Sequence, residues 1–225
     1  MMKFRFIFII ALFLSYFTCS TGEDIPENIC LPVPYRAAER ANYCAVACIQ
    51  MWALYDGNTI ITQDEIARRV GVPTLPSNIV YGVWLYTNSP GFLFVGNGTE
   101  YFQDRILSMS IAAFQKNRPS IIPVYDGEHA ITMIGYKYHT SSDNRPIADK
   151  VWFHDPNGLN KYSTSISDFK YNWFTPDWLN GLLRIILPDD EFVASGDDGY
   201  SIFLDLGGSY SGGPTLYEPS QEAIW

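Results

Sequence analysis

Cys44, His129 and Asp155 are the residues of this chain whose types and order could carry covalent chemistry. Cys44 lies in Arg36-Ala37-Ala38-Glu39-Arg40-Ala41-Asn42-Tyr43-Cys44-Ala45-Val46-Ala47-Cys48-Ile49, where a loop-like stretch gives way to strong helix formers. A thiol in the first turn of a helix feels the positive end of the helix dipole, which favours the thiolate. His129 follows Asp126-Gly127-Glu128 at a turn-to-strand junction, where a side chain can face a cleft. Asp155 ends Val151-Trp152-Phe153-His154 and opens Asp-Pro-Asn-Gly, which is strong turn chemistry in its own right. A thiolate nucleophile, an imidazole base and a carboxylate that fixes its tautomer are the parts needed for attack on a carbonyl. The other two histidines fit the role less well. His139 lies at a far strand end beside a polar turn. His154 directly precedes Asp155, and neighbours on a strand point to opposite faces, so if Asp155 faces the site His154 does not. The histidines lack metal spacing, there is no CxxC, and no glycine loop suits a phosphate, so no metal or cofactor is expected.

The segments that must hold these residues are readable in outline. Val46, Cys48-Ile49 and Trp52-Ala53 recur at helical spacing, which predicts a helix over 44–55 ended by Asp56-Gly57-Asn58. Thr62 with Glu65 forms a capping box and starts a second helix that runs to Val70 and stops at Gly71. Residues 73–98, rich in Pro, Asn, Gly and aromatics, read as irregular structure. A third helix is expected over 102–116. Strands follow at 120–124, 129–138, 150–154 and 181–187, the second and third joined as a hairpin through 141–146. Helices followed by an antiparallel sheet indicate an α+β fold.

With 225 residues and 47% hydrophobic content, the chain suits one middle-sized domain with short extras. Its formal charge of −9, without a basic patch, argues against nucleic-acid binding. Lys3 and Arg5 followed by the apolar run 6–17 have the form of a signal peptide over 1–22, too short for a membrane span. Thr18-Cys19-Ser20 resembles a loose bacterial lipobox, so the chain is expected outside the cytoplasm, either secreted or lipid-anchored through Cys19. Residues 23–34 read as a linker, 35–188 as the folded domain, and 189–225 as an acidic, Gly/Ser-rich tail with partial disorder. Apart from Cys19, three cysteines remain, an odd set. In an oxidising compartment Cys30 and Cys48 could pair and leave Cys44 free, or Cys48 could be a small buried hydrophobe.

The segments VPYRAAERANYCAVACIQMW, TQDEIARRVGV, NRPSIIPVYDGEHAITMIGYKY and VWFHDPNG, in that order, resemble the papain-like cysteine peptidases. The similarity is to their small bacterial branch, which includes the bacteriocin-leader-processing (C39-like) and effector peptidases. The resemblance covers residues 33–187. It implies a helical half carrying Cys44 and a β half carrying His129 and Asp155, with a cleft between them and a peptide as substrate. It also implies a glutamine about six residues before the cysteine as oxyanion donor, where this chain has Ala38. Asn42, Arg40 or the backbone N–H of Cys44 are the replacements the sequence offers. An exported peptidase or acyl-transfer enzyme is thus the leading reading. The missing glutamine motivates a peptide-binding module on the same fold as the alternative, and a surface lipoprotein with Cys44 tied to Cys30 is the third.

Overall fold

The computed structural model describes residues 28–87, 91–97, 99–125, 127–140, 146–175 and 182–188. The expected leader with Cys19 and the expected tail lie outside them. Helix α1 (Cys44–Tyr55) is buried on every side, from Ala45 through Ala53. Such a helix belongs to the centre of a domain rather than to its surface. One side of α1 packs on the sheet, and the other on α2 (Gln63–Val70) and α3 (Pro76–Tyr86). Thr62 caps α2 by accepting from the N–H of Glu65, and Gly71, at φ 79°, ends it. Helix α4 (Glu100–Gln115) lies against the sheet through Ile106, Leu107, Ile111 and Phe114.

Among the described residues, seven antiparallel strands form one sheet: β1 (Asn28–Cys30), β2 (Gly91–Asn97), β3 (Ser120–Val124), β4 (His129–Thr140), β5 (Pro146–Asp155), β6 (Leu159–Ser165) and β7 (Leu182–Pro188). Their order is β2-β7-β3-β4-β5-β6, with β1 on the second half of β4. Helix α5 (Ile166–Asn172) follows β6 and buries Phe169. The β4–β5 hairpin pairs Thr140 with Pro146, as expected. Trp52, Phe114, Tyr136, Phe153, Phe169 and Phe174 fill the space between the layers. This is the expected α+β arrangement, helices in the N-terminal part and strands in the C-terminal part. No helix among the described residues is long and apolar enough to cross a membrane.

Two expectations need correction, and two elements have no counterpart in the sequence reading. The segment read as a linker is docked from residue 28 onward. Ile29, Leu31 and Val33 alternate inward, β1 pairs with β4, and the Leu31 N–H donates to the Ile134 carbonyl at 2.8 Å. Pro32 and Pro34 between them mask that period-2 signal in the sequence. The docking also explains Gly135: a Cβ there would stand 2.0 Å from the Ile29 carbonyl oxygen. Residues 73–98 contain α3 and β2. Pro76 sits at the start of α3, where its missing N–H costs nothing, so this proline begins a helix instead of excluding one. Finally, β6 and α5 carry too little apolar surface to announce themselves: the side chains of β6 are mostly exposed.

Candidate active site

Cys44 is the first residue of α1, and Tyr43 before it supplies no side-chain cap. The first N–H groups of a helix have no partners within it, so this end of α1 presents uncompensated donors around the sulfur. The Tyr43 hydroxyl is turned away and donates to Asp64 at 3.0 Å. His129 begins β4 directly after the β3–β4 turn. That turn closes with the Gly127 N–H on the Val124 carbonyl and needs φ 84° at Gly127, which glycine adopts without strain. Asp155 ends β5, and the N–H of Asn157 folds back on its Oδ1 at 2.8 Å.

These three side chains meet. The Nε2 of His129 stands 2.7 Å from Oδ1 of Asp155, both groups nearly buried, and the imidazole lies near enough to the Cys44 thiol for each to shift the other's ionisation. With Nε2 engaged by the carboxylate, Nδ1 is the nitrogen left for the sulfur. Tyr125 stacks on the imidazole at 6.1 Å and packs tilted against Trp173 at 5.1 Å, which walls that side of the ring.

The electrostatics follow from this geometry. Burial pushes the Cys44 thiol up. The hydrogen bond and charge of His129, with the N–H groups of Ala130 and Ala45, outweigh it, and the net shift is down. Burial likewise disfavours the imidazolium, yet Asp155 and Cys44 raise His129 from 6.5 to about 9. Asp155 is held below its ordinary value, burial being outweighed by His129 and the Asn157 N–H. The Cys44 and His129 shifts both run toward a thiolate–imidazolium pair.

The remaining residues singled out in the sequence have other positions. His154 is buried on the far side of β5, bridging from the Val33 carbonyl (Nε2, 2.9 Å) to the Lys161 N–H (Nδ1, 2.9 Å). His139 is exposed and pairs with Asp149. The Cys30–Cys48 pairing is a further correction, since both thiols are free. Cys30 points to solvent from β1, whereas Cys48 is buried one turn beyond Cys44, its thiol against Thr132. The Arg40 guanidinium is taken by Asp64 at 2.7 Å. Asn42 is exposed in a left-handed turn at φ 65°. The Ala38 N–H is also occupied, donating to the Pro156 carbonyl at 2.9 Å. Between the segments 37–41 and 156–158 the seam opens as a shallow depression of about 580 Å³. The donors that sequence reasoning missed are the backbone N–H groups of Ala45 and Ala130, which no residue type can advertise. It also missed a buried amide pair, Gln50 and Gln63.

Residues 30–176 match the model of the Peptidase_C39 like family. The chain belongs to this family. Its fold and its class, the papain-like cysteine peptidases, are those the sequence segments resembled. Among curated proteins nothing matches the chain. One similar solved structure is a double glycine motif protease from an AMS/PCAT transporter in complex with the leader peptide. It is 14% identical with a TM-score of 0.48, over 71% of this chain and 94% of that one. Another is UfSP from C. elegans, 14% identical with a TM-score of 0.47, over 77% of this chain and 36% of that one. Both are distant, and the assignment rests on the family.

Proposed function

We propose that this peptidase-family chain cleaves or transfers peptide acyl groups through Cys44, His129 and Asp155. The carrying observation is a His129 imidazole hydrogen-bonded to Asp155 and electrostatically coupled to the Cys44 thiol, which stands at the open N-terminus of a buried helix. The Cys44 thiolate attacks the substrate carbonyl carbon, and the C=O electron pair moves to oxygen. The uncapped backbone N–H groups at the start of α1 would stabilise that negative charge, in the role the resemblance gives to a glutamine. As the tetrahedral adduct collapses, the C–N bond breaks and the His129 imidazolium gives its proton to the departing amine. His129, neutral again, then takes a proton from water, or from an acceptor amine, which attacks the thioester; the C–S bond breaks, the acyl group departs, and the Cys44 thiolate and His129 imidazolium are restored. Asp155 holds the ring and its charge throughout without itself taking the proton. The depression along 37–41 and 156–158 suits an extended peptide crossing the seam.

The test is cleavage of a proteome-derived peptide library, read by mass spectrometry for new termini. Wild-type protein is expected to generate them and Cys44→Ala to generate none. If wild type, with its thiol shown to be reduced, yields no new terminus and no transfer product with added amines, the proposal is wrong. We also propose export, from the basic start, the apolar run and Cys19. Fractionation of cells expressing the full chain, with Cys19→Ala beside wild type, is expected to find both outside the cytoplasm and only wild type membrane-bound if Cys19 is lipidated.

A further inference from the structure

Gln63, the first residue of α2, is fully buried although its side chain is a polar amide. Every polar valence of that amide toward the active-site side is spent on one short segment. Its Oε1 accepts from the Glu39 N–H at 2.9 Å, and its Nε2 donates to the Ala37 carbonyl at 2.7 Å. The second hydrogen of Nε2 goes to Oε1 of Gln50, at 3.0 Å, and Gln50 in turn donates to the Ile61 carbonyl at 2.9 Å. Gln50 belongs to α1, the helix that carries Cys44. Between the two clamped residues, the Ala38 N–H reaches across the seam to the Pro156 carbonyl at 2.9 Å, one residue from Asp155. A hydrogen-bonded line therefore runs from the helix of the sulfur, through Gln50 and Gln63, through segment 37–39, to the turn of the carboxylate. A buried amide satisfied in this way is costly to disturb, because truncation leaves several backbone groups unpaired at once.

We propose that Gln63 is a positioning residue: its amide fixes segment 37–39, that segment fixes the Asp155–Gly158 turn, and the turn holds Asp155 and His129 in line with Cys44. This rests on the proposed role of the three residues and adds to it a link between the two halves. In this chain the segment lacks a donor side chain at Ala38, and its backbone serves as a strut between the halves.

The experiment is the pH dependence of Cys44 alkylation by iodoacetamide, mapped by mass spectrometry, which needs no known substrate. The variants are Gln63→Met, of similar length but without the amide, and Ile66→Ala, a core truncation on the same helix that touches none of these bonds. Circular dichroism and melting temperature report folding for each. Both variants should melt lower than wild type. Only Gln63→Met should move the alkylation midpoint, upward by about one pH unit, since thiolate stabilisation by a misaligned imidazolium is weaker. Should Gln63→Met fail to fold, Gln63→Asn keeps an amide but withdraws it by one methylene, and the same shift is expected. An unchanged midpoint in a folded Gln63 variant, or an equal shift in Ile66→Ala, overturns the inference while leaving the site reading intact. A wild-type midpoint at the ordinary thiol value overturns the site reading itself, and this inference with it.

Discussion

The Asp155→Asn substitution isolates the carboxylate's contribution, because it removes the charge and keeps the shape. In the folded protein His129 is raised from 6.5 to about 9 against an opposing burial effect, and Asp155 is the largest raising influence. That rise of about 2.5 units corresponds to on the order of 3 kcal/mol favouring the imidazolium. With the charge gone, burial is opposed by Cys44 alone, and His129 is expected to fall by about two units. The chain is well suited to a direct measurement because it has only three histidines. Carbon-13 labelling of the imidazoles gives three signals, with His129→Gln and His139→Gln assigning them. The His129 signal should titrate near 9 in wild type and about two units lower in Asp155→Asn.

The same change carries a stability signature whose sign is fixed. The folded state binds the His129 proton more tightly than the unfolded chain does. The stabilisation is therefore complete below about 6.5 and disappears as pH rises through about 9. The melting temperature of wild type should exceed that of Asp155→Asn most clearly near pH 6, and the gap should close above pH 9. Alkylation of Cys44 near pH 6 should slow about tenfold in the variant, because the thiolate has lost part of its counter-ion. Coincident His129 titrations in the two proteins would refute the electrostatic argument, whatever happened to activity.

Three further outcomes are expected. Gly135→Ala places a methyl group 2.0 Å from the Ile29 carbonyl oxygen and 2.8 Å from the Cys30 Cα, so β1 must shift; chemical denaturation should show a loss of about 1–3 kcal/mol. His154 is depressed chiefly by burial, so its contribution to stability is present above about 6.5 and lost as pH falls below it. The melting temperature of His154→Gln should accordingly decline less than that of wild type between pH 7 and pH 5. Ala38→Gln restores an amide where the resemblance expects a donor, and turnover on any cleaved peptide should rise; no rise would mean that the first-turn N–H groups already suffice.

What the sequence made legible depends on how local the physics is. Cys44 could be placed at a helix start because the change from loop to helix formers is written within a few residues, and α1 begins there. The strand bearing His129 and the turn bearing Asp155 were likewise marked by local apolar runs and turn chemistry. That the three side chains converge is a long-range fact, anticipated from their order and from resemblance, and not from any interaction visible along the chain. Where the local signal misled, another interaction overrode it. Prolines at 32 and 34 suggested a tether, yet the chain between and before them buries Leu31 and Val33 against β4 because Gly135 leaves room. Pro76 suggested a break and instead opens α3.

Gln63 is the clearest case of information that no local reading contains. A glutamine next to a capping threonine, followed by Asp64 and Glu65, reads as the solvated first turn of a surface helix, and its two neighbours are indeed partly exposed. Only the return of segment 37–39 over that turn buries it, and only the fold turns its amide into the joint between the sulfur's helix and the carboxylate's turn. The absent glutamine six residues before Cys44 was legible, but what the chain does with that segment was not. Its two flanking residues are bonded to an amide arriving from another helix, and its central N–H is spent across the seam. Under the proposed mechanism the donors for a developing oxyanion then come from the open end of α1, and the alignment of that helix with the opposing turn is the quantity on which the proposed catalysis depends.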